Sequence, residues 1–212
     1  VLAGCLALLV FVVLGWFSTG IAGDAADQVK PAYTVVPTKQ PPVIDGKLDD
    51  EVWENATFTY LYDFLASTKE ARVKADPATT FAISADDKQL YVAFRCQDTN
   101  VSKLRKNVTT RDGKLWNGDN VEIFLNFEGP GHTFRRVMLG ASGAVFDAAY
   151  LQYGLKEHRW FDIKGLAGAT NIQTDHWTGE IAIPFAGLAM KSDATGNWQI
   201  NVWYSNVACR LP

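Results

Sequence analysis

Trp116, Glu122 and the pair Arg135-Arg136 are the side chains best suited to recognition chemistry in this sequence. Trp116 lies between two turn-forming stretches, Arg111-Asp112-Gly113-Lys114 and Asn117-Gly118, just before a run that alternates apolar and polar residues. A loop is a poor place for a core tryptophan. A flat indole there suits the apolar face of a pyranose ring, because it covers apolar area with little rotamer freedom to lose. The alternative is a ring that caps the edge of the fold. Glu122 alternates with Val121 and Ile123 and so faces away from them, one strand step inside Trp116. A carboxylate at that point can accept hydrogen bonds from two neighbouring hydroxyls, although the position equally suits an ordinary solvent-facing strand residue. Arg135 and Arg136 offer donors, but adjacent strand residues face opposite sides, so a one-residue slip decides which of them can join Glu122.

Other chemistries find less support. A glycosidase needs two carboxyl groups about 5–10 Å apart across a cleft. Glu122 with Asp119 or Asp147 is conceivable, but nothing in the spacing separates these from solvated surface charges. There is no Gly-x-Ser-x-Gly elbow, no recognisable Cys–His pair and no His-rich metal motif. His132, His158 and His176 are scattered near expected turns, which predicts solvent exposure. Asp119 either caps its turn or binds a cation. Calcium takes six to eight oxygens. Asp45, Asp49, Asp50, Asp86, Asp87 and Asp98 supply carboxylates, but no regularly spaced acidic loop appears, so no metal ligand is assigned.

The elements that must hold these residues are strands. Of 212 residues, 12% are aromatic, with 20 Lys+Arg against 23 Asp+Glu and a net charge of −3. That composition excludes a disordered chain and argues against a nucleic-acid-binding face. Thr79–Ser84 and Leu90–Cys96 read as a hairpin around Ala85-Asp86-Asp87-Lys88. Further strands are expected at Asn120–Asn126, Thr133–Leu139, Ala144–Tyr150, Trp177–Ile183 and Trp198–Tyr204. Helix is confined to a short piece within Asp49–Ala56 and one turn at Pro184–Leu188. Many short strands with regular turns predict an all-β fold, an antiparallel β-sandwich resembling a jelly roll. Trp53 and Trp198 are expected in its core.

Val1–Gly23 carries no charge and combines an apolar run, Cys5–Phe17, with the small residues Ser18-Thr19-Gly20-Ile21-Ala22-Gly23. This is the pattern of a secretory signal peptide, or of an anchor segment if uncleaved. It lacks a basic start and an initial Met, which suggests a fragment. Leu2-Ala3-Gly4-Cys5 has lipobox-like residues, but it precedes the apolar run that a lipobox follows. The folded body is therefore expected outside the cytoplasm, secreted or in the cell envelope, with membrane contact only through this segment. Residues 24–42 read as a linker ending at Pro41-Pro42, and 43–212 as the domain. Cys96 and Cys209 either form one disulfide in an oxidising compartment or stay as buried thiols.

Three stretches resemble carbohydrate-binding module family 9, the sugar-binding domains often attached to secreted glycoside hydrolases. They are Ile44-Asp45-Gly46 with Trp53, the hairpin ending Leu90-Tyr91-Val92-Ala93-Phe94, and Trp116-Asn117-Gly118-Asp119-Asn120-Val121-Glu122-Ile123-Phe124. Trp177–Phe185 and Trp198–Val202 also look like family strands. The resemblance covers about Val43 to Tyr204. It implies non-catalytic binding of a polysaccharide or oligosaccharide by a monomeric module, with Trp116 stacking on sugar, Glu122 as a ligand, Arg136 favoured over Arg135 as donor, no required cofactor and a possible structural calcium. It also implies a second sugar-stacking ring beyond the point where this chain ends, so the domain's C-terminal end is expected to be missing. The competing reading is a DOMON-type haem-binding electron-transfer domain, which shares a similar sandwich and needs axial ligands such as Met138, Met190 or His132. A blander third reading is a module that keeps the fold and acts only as a spacer.

Overall fold

Alternating residues become strands wherever one face can be buried, and the computed structural model places twelve strands in two packed sheets. It describes residues 8–10, 33, 35–63, 73–126, 133–151, 156–189 and 199–205. The strands are β1 (Leu8–Val10), β2 (Val36–Pro37), β3 (Thr59–Tyr60), β4 (Thr79–Ala85), β5 (Gln89–Gln97), β6 (Asn120–Asn126), β7 (Phe134–Gly140), β8 (Val145–Leu151), β9 (Lys156–His158), β10 (Ala167–Ile172), β11 (His176–Pro184) and β12 (Gln199–Ser205). The first sheet runs β1-β12-β6-β7-β8-β9, and the second runs β10-β11-β5-β4-β2 with β3 also on β4. All these pairs are antiparallel except β2 on β4. The only α-helix among the described residues is α1, Glu51–Asn55, and a single 3-10 turn spans Phe185–Leu188. An all-β sandwich is thus the architecture.

The expected strands appear within a residue or two of their predicted limits. Five others were not expected, the short β1, β2 and β3 among them. β9 is a three-residue edge strand, and β10 (Ala-Gly-Ala-Thr-Asn-Ile) is small and polar, without the large alternating residues that mark a strand. The stretch expected as linker differs as well. Val36–Pro37 lies parallel to Ser84–Ala85, and Tyr33 stacks on Phe81 while its hydroxyl donates to the Thr57 carbonyl at 2.7 Å. The packed body therefore begins before Val43. Of the apolar N-terminal segment only the Leu8–Val10 backbone is described, paired with β12; the rest of the expected signal or anchor lies outside the described residues. No described helix is long and apolar enough to cross a membrane.

The core between the sheets is made by Phe81, Ile83, Val92 and Phe94 with Trp177, Ile181 and Ile183 on one side. Val121, Ile123, Leu125, Val137 and Leu139 oppose them. Leu139 of β7 fits a socket in the opposite sheet. A Cβ at Gly168 would stand 2.9 Å from its Cδ1, and one at Gly179 only 2.7 Å from its Cδ2. Cys96 is a fully buried thiol in this core, and burial pushes its pKa up. Cys209, Trp198, His132 and Met190 lie outside the described residues.

The outer face of the second sheet is covered by the chain's own Ile44–Phe58 stretch. Val52 and Trp53 pack on Ala82, Tyr91, Ala93 and Ala182. Trp53 is buried as expected, in this outer layer and not between the sheets. Gly46 is the hinge of the layer: its φ is +86°, and a Cβ there would meet the Thr170 carbonyl carbon at 2.4 Å. Only glycine adopts that conformation cheaply at such close approach. Beneath it Glu180 accepts three bonds, from the Trp53 indole N–H at 2.7 Å, the Gly46 N–H at 2.7 Å and the Asp45 N–H at 3.1 Å. The Ile44-Asp45-Gly46…Trp53 motif is therefore a clasp that closes one face of the sandwich.

Candidate functional site

The outer face of the first sheet is covered only in part among the described residues: Val108 and Leu115 of the loop before β6 pack on Met138, Phe146 and Ala148. Residues facing outward on β6, β7, β8 and β12 follow from the ladder. Glu122 lies opposite Trp203 on one side and Met138 on the other, and Phe124 lies opposite Asn201 and Arg136. Val121 and Ile123 point into the core. Trp116 reaches the same face from the loop before β6, in a 3-10 turn spanning Leu115–Asn117. The loop is tied at several points. Asp119 accepts from the Arg105 N–H at 2.6 Å, the Asn120 side chain donates to the Leu115 and Gly118 carbonyls, and Ser142 donates to the Val108 carbonyl at 2.5 Å. Asp119 is thus the turn-fixing residue of its two expected roles. The indole packs at right angles to Phe146, with centroids 5.6 Å apart.

Arg136 joins Glu122. Its Nε donates to Glu122 Oε2 at 2.8 Å and its Nη2 lies 2.7 Å from the same oxygen. Both side chains are mostly buried, with 8% of Glu122 and 18% of Arg136 exposed. Burial pushes the Glu122 carboxyl up, and Arg136 pulls it back. Both contacts use Oε2, so Oε1 has no partner among the described residues. Arg136 also donates from Nη1 to the Tyr150 hydroxyl at 3.3 Å, and Tyr150 donates in turn to Glu157. The guanidinium carbon stands 5.9 Å from the rings of Trp116, Phe124 and Phe146. Phe134 stacks on Tyr150 at 4.7 Å. The face therefore combines aromatic area with a charge-neutral acceptor–donor pair at its centre.

Trp116, Glu122 and Arg136 are brought together. Arg135 is not: on the opposite phase of β7, its Nε donates to the Leu188 carbonyl at 2.9 Å and its guanidinium covers Phe161 at 4.6 Å. Asp147 also points inward, in register with Val137, so it shares no face with Glu122. Arg111 pairs with it at 2.6 Å and with Asp162 at 2.7 Å, and the Ile163 N–H donates to it. Burial raises the Asp147 pKa to about 6. Glu122 therefore forms no retaining or inverting carboxylate pair with Asp147, which faces the other side of the sheet. His158 and His176 are half-buried, not exposed as expected. His158 sits edge-on to Trp160, and His176 contacts Asp175.

Three residues at this face went unassigned in the sequence. Arg159 places its guanidinium carbon 4.8 Å over the Trp116 ring while its Nε holds Glu157 at 2.8 Å. Among the described residues Asn201 Oδ1 and Trp203 Nε1 are buried without a hydrogen-bond partner. Register opposite Glu122 could have flagged Trp203, but pairing partners are invisible in one strand's sequence. Met138, on the same outward face, is fully buried and packs with Leu115 and Phe146. Asp45 is held by Lys47, Asp86 by the Lys88 and Gln89 N–H groups, and among the described residues no three His, Cys, Asp or Glu side chains surround one point. A cleft of about 340 Å³ between Val36–Pro41 and α1 is lined by no aromatic residue, so it offers nothing to a sugar face.

Comparisons with known proteins agree with this architecture. The family model described as "Carbohydrate family 9 binding domain-like" matches residues 44–201. A candidate carbohydrate-binding protein from Bacteroides uniformis ATCC 8492 shares the fold with a TM-score of 0.56 at 10% identity, over 84% of this chain and 91% of that one. A family 9 carbohydrate-binding module from Caldicellulosiruptor kristjanssonii, in complex with cellotriose, aligns at TM-score 0.48 and 18% identity over 80% of this chain and 82% of its own. The same organism's family 9 module with glucose aligns at 0.47 and 17%, over 80% and 83%. No curated protein matches the chain. With the family model spanning most of its length, this chain belongs to the carbohydrate family 9 binding domain-like family.

Proposed function

We propose that this chain is a non-catalytic carbohydrate-binding module of an exported protein that takes part in polysaccharide breakdown, and that sugar binds on the outer face of the first sheet. One observation carries the reading. Glu122 and Arg136 form a buried neutral pair, with Glu122 Oε1 unused, beside the Trp116 ring. An indole covers the apolar side of a pyranose, and a fixed acceptor–donor pair reads adjacent hydroxyls. Because Arg136 already holds the carboxylate, little rotamer freedom remains to be lost on binding. Membership of the family supports a binding role over a catalytic one. The chain acts as a monomer, without a cofactor.

The test is calorimetry with cello- and xylo-oligosaccharides, alongside Trp fluorescence. One-site binding is expected, weakened about five- to thirtyfold by Trp116→Ala, since a stacked ring contributes about 1–2 kcal/mol. Unchanged affinity in Trp116→Ala, or release of reducing sugar lost on Glu122→Gln, overturns the reading.

A further inference from the structure

We infer that the site prefers an acidic sugar, a uronate-containing oligosaccharide, over its neutral counterpart; this rests on the sugar-binding reading above. The chain is acidic overall, with a net charge of −3. Its cations nevertheless gather around Trp116. Residues 101–118, the loop that carries Trp116, hold Lys103, Arg105, Lys106, Arg111 and Lys114 against the single anion Asp112, a net of +4. Lys156 and Arg159 against Glu157 add one more from the β9 edge. By contrast, residues 45–63, which contain the clasp on the second sheet, carry Asp45, Asp49, Asp50, Glu51, Glu54 and Asp63 against Lys47, a net of −5. The two stretches of chain thus carry opposite net charge.

These cations are largely uncommitted. Among the described residues Lys103, Arg105, Lys106, Lys114 and Lys156 enter no ion pair. Lys103, Lys106, Lys114 and Lys156 are exposed. Arg159 is the residue best placed to use the charge. Its guanidinium lies 4.8 Å over the Trp116 ring, and only its Nε is engaged, by Glu157. Among the described residues its two terminal NH2 groups have no partner, and they form a planar fork over one face of the ring. A guanidinium fork matches a carboxylate bidentately, which a neutral hydroxymethyl group cannot reproduce. A uronate stacked on Trp116 would set its carboxylate within that fork while Glu122 and Arg136 take ring hydroxyls. The surrounding lysines raise the local concentration of an anionic chain and speed its capture, an effect that salt weakens.

The experiment compares oligogalacturonate with the same oligosaccharide after its carboxyl groups are reduced to hydroxymethyl groups, at low and at physiological salt. The probe proteins are the parent chain, Trp116→Ala, and Arg159→Gln combined with Lys114→Gln. We expect the uronate to bind at least about tenfold more tightly at low salt and to lose much of that margin as salt rises. The double variant should erase the margin between the two ligands. Equal binding of both ligands to the parent overturns the acidic preference while leaving sugar binding intact. Uronate binding that survives Trp116→Ala, or that a sulfated glucan or an anionic vesicle matches, shows a general polyanion surface and also overturns it. Failure of every saccharide to bind defeats the underlying sugar reading instead.

Discussion

Glu122 and Glu180 make an instructive pair. Each sits on the outward face of a central strand, each is buried, and the two faces belong to opposite sheets. Their partners differ. Glu180 is surrounded by N–H donors from the chain's own clasp, one indole and two backbone groups. Glu122 is met by one guanidinium through a single oxygen. Burial lifts the Glu180 pKa to about 7, against the pull of those donors. Burial lifts Glu122 as well, but there a full opposite charge opposes it. One sheet has used its outward carboxylate to fasten a covering layer. The other keeps an equivalent carboxylate half-engaged beside aromatic surface. A buried acid on a β-face is therefore informative only once its donors are counted.

The largest effect should come from breaking the clasp. Glu180→Ala leaves three N–H groups without their acceptor, each costing about 1 kcal/mol or more. A loss of about 3 kcal/mol is expected, seen as a fall of roughly 6–12 °C in Tm, with sugar affinity of the folded protein unchanged. A Tm within about 2 °C of the parent would show that the clasp is not fastened by this residue. The opposite pattern is expected at Glu122→Gln. Binding should fall about ten- to a hundredfold, as for loss of a charged hydrogen bond worth about 1.5–3 kcal/mol, while stability falls less than in Glu180→Ala. If calorimetry shows parental affinity, the two faces do not divide the labour as described.

The smallest effect is in pH. The folded-state pKa of Glu180, about 7, lies above its ordinary 4.5, so the native state holds the proton more tightly than the unfolded chain. Its contribution to stability is fully present below about 4.5 and is lost as pH rises through about 7. Asp147, raised from 3.8 to about 6, acts in the same sense over a lower window. Glu180→Gln should therefore remove most of the decline in Tm between about pH 6 and 7 and lessen that between about 4.5 and 6, where Asp147 still contributes. A parent Tm that rises steadily across that upper interval would contradict the sign.

The parts of this contrast that sequence could reveal were those carried by period-two alternation. Asn120–Asn126 reads directly as a strand with Glu122 outward, and the structure has that span. Arg135 against Arg136 could not be resolved from one strand, because the answer depends on register with β6, where Arg136 falls opposite Phe124 and Arg135 opposite Leu125. Glu180 escaped notice for a related reason. Between Gly179 and Ile181 it looks like any solvent-facing strand residue, and only the return of Asp45, Gly46 and Trp53, more than 120 positions away in sequence, buries it. β10 was hidden by its small residues, which are small because Leu139 and Val145 occupy the space at Gly168. Arg159 lies in the turn just after an edge strand too short to announce itself, so its position over Trp116 could not be foreseen.

The fit of Leu139 between Gly168 and Gly179 has a consequence for how this domain can diverge. Three positions on three strands of two sheets share one volume. A side chain gained at either glycine collides with Leu139 unless residue 139 shrinks in the same lineage, since overpacking typically costs about 1–3 kcal/mol. Homologues should therefore show compensating exchanges among these positions, while Trp116 and Arg159, which occupy none of that space, drift with the preferences of whatever each lineage binds. The interlock leaves the two sheets keyed at one angle and frees the loops above to change their chemistry.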